Sequence, residues 1–117
     1  MRNGSDVAEE RRAGAAAKDG LLVLVANDSP FHRKVLSAYV ASENIAERIS
    51  EAGGGEEALR TFVAERPDLV LLDWQMPDME GPEVAKRMRD HEKRSCEDKR
   101  AYIIMITGVQ GEDALLT

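Results

Sequence analysis

Apolar residues fall along this chain in two alternating rhythms. Leu21-Leu22-Val23-Leu24-Val25-Ala26, Leu69-Val70-Leu71-Leu72 and Tyr102-Ile103-Ile104-Met105-Ile106 are continuous runs, the mark of strands covered on both faces. Between them the spacing changes to threes and fours. Val35, Leu36, Tyr39 and Val40 predict a helix that begins at Pro30, with Ser29 or Asp28 as its cap. Ala58, Leu59, Phe62 and Val63 predict a second over 56–65, ended by Arg66-Pro67, and Val84, Ala85 and Met88 a third from 82 to about 92. A run at 46–51 has so little apolar content that it reads as an edge strand, followed by a turn at Ala52-Gly53-Gly54-Gly55. Residues 93–100 read as a solvated charged loop, and 109–117 as the first turns of a fourth helix. Residues 1–20 offer almost nothing to bury and read as a disordered leader before a domain at 21–117. Strand alternating with helix predicts an α/β fold with a doubly wound parallel sheet and right-handed crossovers.

Composition narrows the classes. At 117 residues and 43% hydrophobic content, the chain has enough for one core and too little for two. Its net charge of -6 argues against nonspecific binding of nucleic acid or an anionic membrane. No apolar run approaches membrane-spanning length, and the single cysteine, Cys96, builds neither a disulfide framework nor a thiolate metal site, so a cytoplasmic setting is expected.

The polar residues that close the strands carry the chemistry. Asn27-Asp28, Asp73 and Thr107 each end an apolar run, and in a parallel sheet those ends converge on one rim, where ligands bind. Asp73 stands too far upstream of Pro82 to cap the third helix, whereas Asp28 reads equally as a helix cap or a ligand. Two close carboxylates repel unless a cation lies between them, and hard oxygen ligands without a convergent His or Cys suit Mg²⁺ or Mn²⁺. Magnesium prefers to share its sphere with a phosphate oxygen, so the expected substrate is a phosphoryl group, with Asp73 as nucleophile. Thr107 is then a hydrogen-bond donor to that group, or simply a β-branched strand residue. His32 and His91 read as solvated surface.

Ala26-Asn27-Asp28-Ser29-Pro30, Leu71-Leu72-Asp73-Trp74-Gln75-Met76-Pro77-Asp78-Met79-Glu80-Gly81 and Ile104-Met105-Ile106-Thr107-Gly108 together resemble the receiver domain of two-component response regulators. The resemblance implies a flavodoxin-like sheet of strand order 2-1-3-4 and Mg²⁺-dependent phosphorylation of Asp73 by a histidine kinase or phosphotransfer protein. It also implies a metal held by Asp28, Asp73 and the backbone carbonyl of Gln75, with Asn27 a further ligand through water. Thr107 would bind the phosphoryl group and act as the switch. Such a domain signals to a downstream output partner and is no enzyme beyond its own phosphoryl transfer and slow autodephosphorylation.

The chain departs from the pattern where Asn27 stands in place of an acid and Glu80 in place of an Asp, and the family's lysine, fifth strand and last helix would lie beyond Thr117. The strand at 102–106 is then an open apolar edge, from which self-association is expected. Two other readings compete: a pseudo-receiver that docks partners without phosphorylation, and a haloacid-dehalogenase-type phosphohydrolase. The second needs an acid two residues after the nucleophile, where this chain has Gln75.

Overall fold

The computed structural model describes residues 20–96 and 98–107; the readings of a leader and of a fourth helix lie outside them. Strands β1 (Leu21–Ala26), β2 (Ala46–Ala52), β3 (Leu69–Asp73) and β4 (Tyr102–Ile106) alternate with helices α1 (Pro30–Ser42), α2 (Gly55–Glu65) and α3 (Gly81–Arg94). The strands form one four-stranded sheet in the order β2-β1-β3-β4, all parallel, so the order 2-1-3-4 and the edge position of β2 are as expected.

The pleat divides the core. Leu24, Val70 and Leu72, with Ile103 and Met105 beside them, point to one face, where Ala58 and Phe62 of α2 and Val84 and Met88 of α3 cover them. Val23, Val25 and Leu71 point to the other, under Val40 and Leu36 of α1. Because α1 lies over β1 and β2, the β4 residues on its side are left bare: Tyr102 and Ile104 are 78% and 50% exposed. A groove of about 410 Å³ runs there along Leu21, Leu69, Tyr102 and Ile104.

Two helix faces differ from their expected ones. Val35 and Tyr39 of α1 and Val63 of α2 are exposed, because each helix buries a narrower stripe than a full amphipathic face. On α1 it is Leu36 and Val40, and on α2 it is Ala58, Leu59 and Phe62, that touch the sheet. Helix α2 also begins one residue early, at Gly55, where a Cβ would fall 2.8 Å from Cβ of Met79 in the loop preceding α3 and 2.9 Å from Cγ2 of Val84 in α3 itself.

The described residues of 93–100 are mostly exposed, as expected of a solvated connection, but helix α3 continues to Arg94, and Lys99 and both flanks of the stretch are tied to other elements. The buried Glu92 accepts a hydrogen bond from the Ala101 N–H (2.8 Å) and pairs with Arg89 (2.8 Å). Lys99 donates to the Arg66 carbonyl (2.7 Å) and pairs with Asp68 (3.2 Å). Arg66 itself closes α2 in the left-handed region (φ 52°) and donates to the Lys99 carbonyl. Asp68 joins three strand starts, since Leu22 N–H donates to its carboxylate and Tyr102 N–H to its carbonyl. His91 is likewise less free than expected, its ring standing edge-on to Phe62 at 6.2 Å.

Candidate functional site at the carboxyl rim

The parallel register brings the ends of β1, β3 and β4 to the same rim: Ala26 pairs with Leu72, and Asp73 with Ile106. Asn27, Asp28 and Thr107 are the residues that follow. Local bonds decide what each side chain is free to do. Ser29 is the cap of α1, its hydroxyl accepting from the His32 N–H (3.2 Å), which leaves Asp28 out of that role and exposed at the rim. Asn27 is buried, and its side-chain oxygen accepts from the Ser29 N–H (2.9 Å), a turn-forming bond. Arg33 clamps the same turn from α1, donating to the Asn27 carbonyl (2.7 Å) and lying 3.4 Å from the Glu51 carboxylate.

Asp73 is 1% exposed, and among the described residues neither of its carboxylate oxygens has a hydrogen-bond partner. Burial raises its pKa above the usual carboxylate range, and the Asp28 carboxylate pushes it in the same direction. The backbone amides of Gln75 and Trp74 pull the other way, yet neither they nor Asp28 reach bonding geometry with the Asp73 oxygens. A buried acceptor with no donor is costly, and here two such oxygens stand near a second acid. Nor does Asp73 cap a helix: α3 starts after Glu80, without a side-chain cap.

The loop from Trp74 to Glu80 is closed at its base and tied at its crown. Gly81 N–H donates to the Trp74 carbonyl (2.7 Å), and a Cβ on Gly81 would lie 2.5 Å from the Asp73 carbonyl oxygen. At the crown, the Asp78 carboxylate accepts from the Gly55 N–H (2.9 Å) and the Glu56 N–H (3.0 Å), which holds its pKa down and supplies the side-chain cap that Gly54 cannot give α2. Gln75 and Thr107 are exposed at the rim.

The donor set fits a hard divalent cation. Among the described residues, two carboxylates interact electrostatically, one of them with both oxygens unpartnered, and the nearby loop can add oxygen ligands. Among the described residues no group of three or more His, Cys, Asp and Glu side chains forms a cage, so any cation here keeps water or shares an outside ligand.

Asp78, Arg33, Asp68 and Glu92 did not emerge from the sequence as structural or site residues. A signal existed for Asp78 alone: a glycine run that opens a helix without a cap needs an acceptor from elsewhere, and an acid in the loop after Pro77 is one.

A doubly wound parallel domain with its acids at the carboxyl rim is the class this fold and site define. A sequence model of the response regulator receiver domain matches residues 23–117, and the chain belongs to that family. It is 38% identical over 92 residues to the transcriptional regulatory protein ResD of Bacillus subtilis, a match that spans 79% of this chain and 34% of ResD. It is 47% identical over 70 residues to a protein-glutamate methylesterase/protein-glutamine glutaminase of Geobacillus kaustophilus, covering 59% of this chain and 20% of that protein. The matched stretch thus spans a fifth to a third of these relatives. Among solved structures, the receiver domain of the histidine kinase CKI1 from Arabidopsis thaliana, complexed with Mg²⁺ and BeF3⁻, superposes with a TM-score of 0.65 at 28% identity, covering 81% of this chain and 72% of that one.

Proposed function

We propose that this domain is a phosphoryl-accepting switch of a two-component system, phosphorylated on Asp73. The carrying observation is the Asp73 carboxylate itself, buried at the end of a central strand with both oxygens unpartnered and a second acid beside it. A carboxylate so placed is poorly solvated, and neither oxygen has its lone pairs committed to a donor, which favours attack on phosphorus once a donor reaches it. In the step, a bond forms from Asp73 Oδ to phosphorus while the bond from phosphorus to the donor breaks. The leaving group is neutral imidazole after proton uptake from a phosphohistidine, or acetate from acetyl phosphate. Water later cleaves the acyl phosphate to carboxylate and inorganic phosphate.

Asp28, Asp73 and the Gln75 carbonyl would hold Mg²⁺, with Mn²⁺ an alternative, and the bound ion would neutralise charge on the phosphoryl oxygens. Thr107, next along the chain from β4, would donate a hydrogen bond to the phosphoryl group and report its presence. Arg33 and Ser29 hold the Asn27-Asp28 turn in place. The donor is a histidine kinase or phosphotransfer protein in a cytoplasmic setting, and the readout a downstream partner that distinguishes the two states. Nucleic acid and membrane are not partners of this acidic segment; among its described residues no helix is long and apolar enough to cross a bilayer. Among the described residues β4 is an edge strand with Tyr102 and Ile104 exposed, which would give a second copy of the chain a place to pair.

A second reading, a docking module that is never phosphorylated, is favoured by the commitment of the Asn27 oxygen to Ser29 and by the small number of acids at the rim. Incubation with radiolabelled acetyl phosphate and Mg²⁺ separates the two. The switch takes up acid-stable, base-labile label that Asp73→Asn abolishes; a folded chain that takes up none is the docking module. Ester turnover far beyond one equivalent would instead mark a phosphohydrolase.

A further inference from the structure

We infer that Asp78 is a positioning residue for the cation site, coupling the amino end of α2 to the loop that presents the Gln75 carbonyl. The inference rests on the metal reading above and extends it to a residue outside the ligand set.

Two observations carry it. The Trp74–Glu80 loop is held at its base by backbone, through the bonds from Gly81 N–H to the Trp74 carbonyl and from Trp74 N–H to the Ile106 carbonyl. Its crown is held by another element: Asp78 reaches across to accept from Gly55 and Glu56, near enough that a Cβ on Gly54 would sit 3.0 Å from Oδ1 of Asp78. Both bonds join an anion to backbone donors at a helix amino end, the stronger kind of hydrogen bond. Gln75 lies between the two anchorages, so the direction of its carbonyl depends on both. A ligand held in advance binds more tightly than one that must be ordered on binding. Coupling is reciprocal: if the tether tightens the cation site, the cation must tighten the tether.

Asp78 shares an open cavity of about 360 Å³ with Asp28, Glu56, Glu57 and Arg60, so its charge alone could also attract a cation. The test must separate tether from charge, and Asp78→Asn and Asp78→Ala do so. Both remove the charge, but only the asparagine keeps an acceptor for one of the two amides. Mg²⁺ affinity of the full 117-residue chain is read from Trp74 emission, and amide exchange at Gly55 and Glu56 is followed by NMR with and without Mg²⁺.

The tether predicts that Mg²⁺ slows exchange at both amides in the unsubstituted chain. It also predicts a dissociation constant raised about fivefold in Asp78→Ala, the low end of ordinary site-to-site coupling, with Asp78→Asn between. Glu57→Ala removes the bond from Gly53 N–H to Glu57 at the same helix end (3.0 Å) and one negative charge, without touching the loop. It should shift affinity no more than Asp78→Asn does. Equal affinities for Asp78→Asn and Asp78→Ala, or exchange at Gly55 and Glu56 indifferent to Mg²⁺, would overturn the inference while leaving the metal reading intact. If Asp78→Ala does not fold, the exchange experiment on the unsubstituted chain decides alone. Absence of any Mg²⁺ response there overturns the metal reading, and the tether with it.

Discussion

Gly81 sits against Asp73 so closely that a Cβ on the glycine would lie 2.5 Å from the aspartate's carbonyl oxygen. The start of α3 therefore fixes the backbone that carries the candidate phosphoacceptor. Backbone atoms cannot step aside as a flexible side-chain tip can, so Gly81→Ala must move either the helix or the end of β3. The expected cost is about 1–3 kcal/mol, the usual range for overpacking, measured by urea unfolding. Trp74, whose carbonyl accepts the Gly81 N–H, should report the displacement as an altered emission spectrum in the folded state.

Helix α2 allows a sharper test of the core, because two adjacent residues expected on one face part company. Phe62 is 1% exposed and Val63 48%. Phe62→Ala should cost about 3–5 kcal/mol and leave the chain barely folded, since few domains have more than 5–15 kcal/mol to lose. Val63→Ala should stay within about 0.5 kcal/mol of the unsubstituted chain. Thermal melts of the two variants side by side check both figures.

That contrast shows what the sequence could and could not disclose. The strands were legible because buried parallel strands are written as unbroken apolar runs, and the rim residues because strand polarity places them. Helix faces were legible only in part: a spacing of three and four defines a stripe without its width, so Val35, Tyr39 and Val63 looked as inward as Leu36 and Phe62. Contacts between distant loops left no periodic trace. Asp78 lies twenty-three residues from Gly55, Arg66 thirty-three from Lys99, and only the folded sheet brings each pair together. The charged run after α3 is mostly exposed, as its composition suggests, but the tie of Lys99 to Arg66 and Asp68 was missed for this reason, since those partners come from other elements.

Glu92 supplies the pH dependence. Burial by itself would raise its pKa, but the Ala101 N–H and the Arg89 and Arg100 guanidinium groups outweigh that and hold it below the usual range. A carboxylate whose folded pKa is depressed binds fewer protons folded than unfolded, so it stabilises the fold above the ordinary glutamate range and loses that contribution as pH falls through the folded value. Glu92→Gln should therefore cost about 2 kcal/mol at pH 7, the scale of charge-assisted hydrogen bonds. The gap between Glu92→Gln and the unsubstituted chain should narrow as unfolding is repeated at progressively lower pH across the carboxylate range. A gap independent of pH would mean that packing, not charge, makes Glu92 matter.

Asn27→Asp tests the rim from the opposite direction, by adding charge to it. Asn27 is buried beside Asp28, and an aspartate can still accept the Ser29 N–H, so the turn should persist. Without a cation, the added carboxylate repels Asp28 and Asp73, and the chain should become less stable at neutral pH. With Mg²⁺ the same charge is attractive, and for a doubly charged cation at about 4 Å and an effective dielectric of about 20 the gross attraction is on the order of 8 kcal/mol. Much of that is spent on desolvation, so a tenfold tighter dissociation constant, about 1.4 kcal/mol, is the expected net gain. The substitution should thus lower the melting temperature in EDTA and raise its response to saturating Mg²⁺ by mass action. Trp74 emission gives the affinity and thermal melts give the stability. A variant that is destabilised in EDTA yet gains nothing from Mg²⁺ would show that Asp28 and Asp73 do not share a cation, whatever else that rim does.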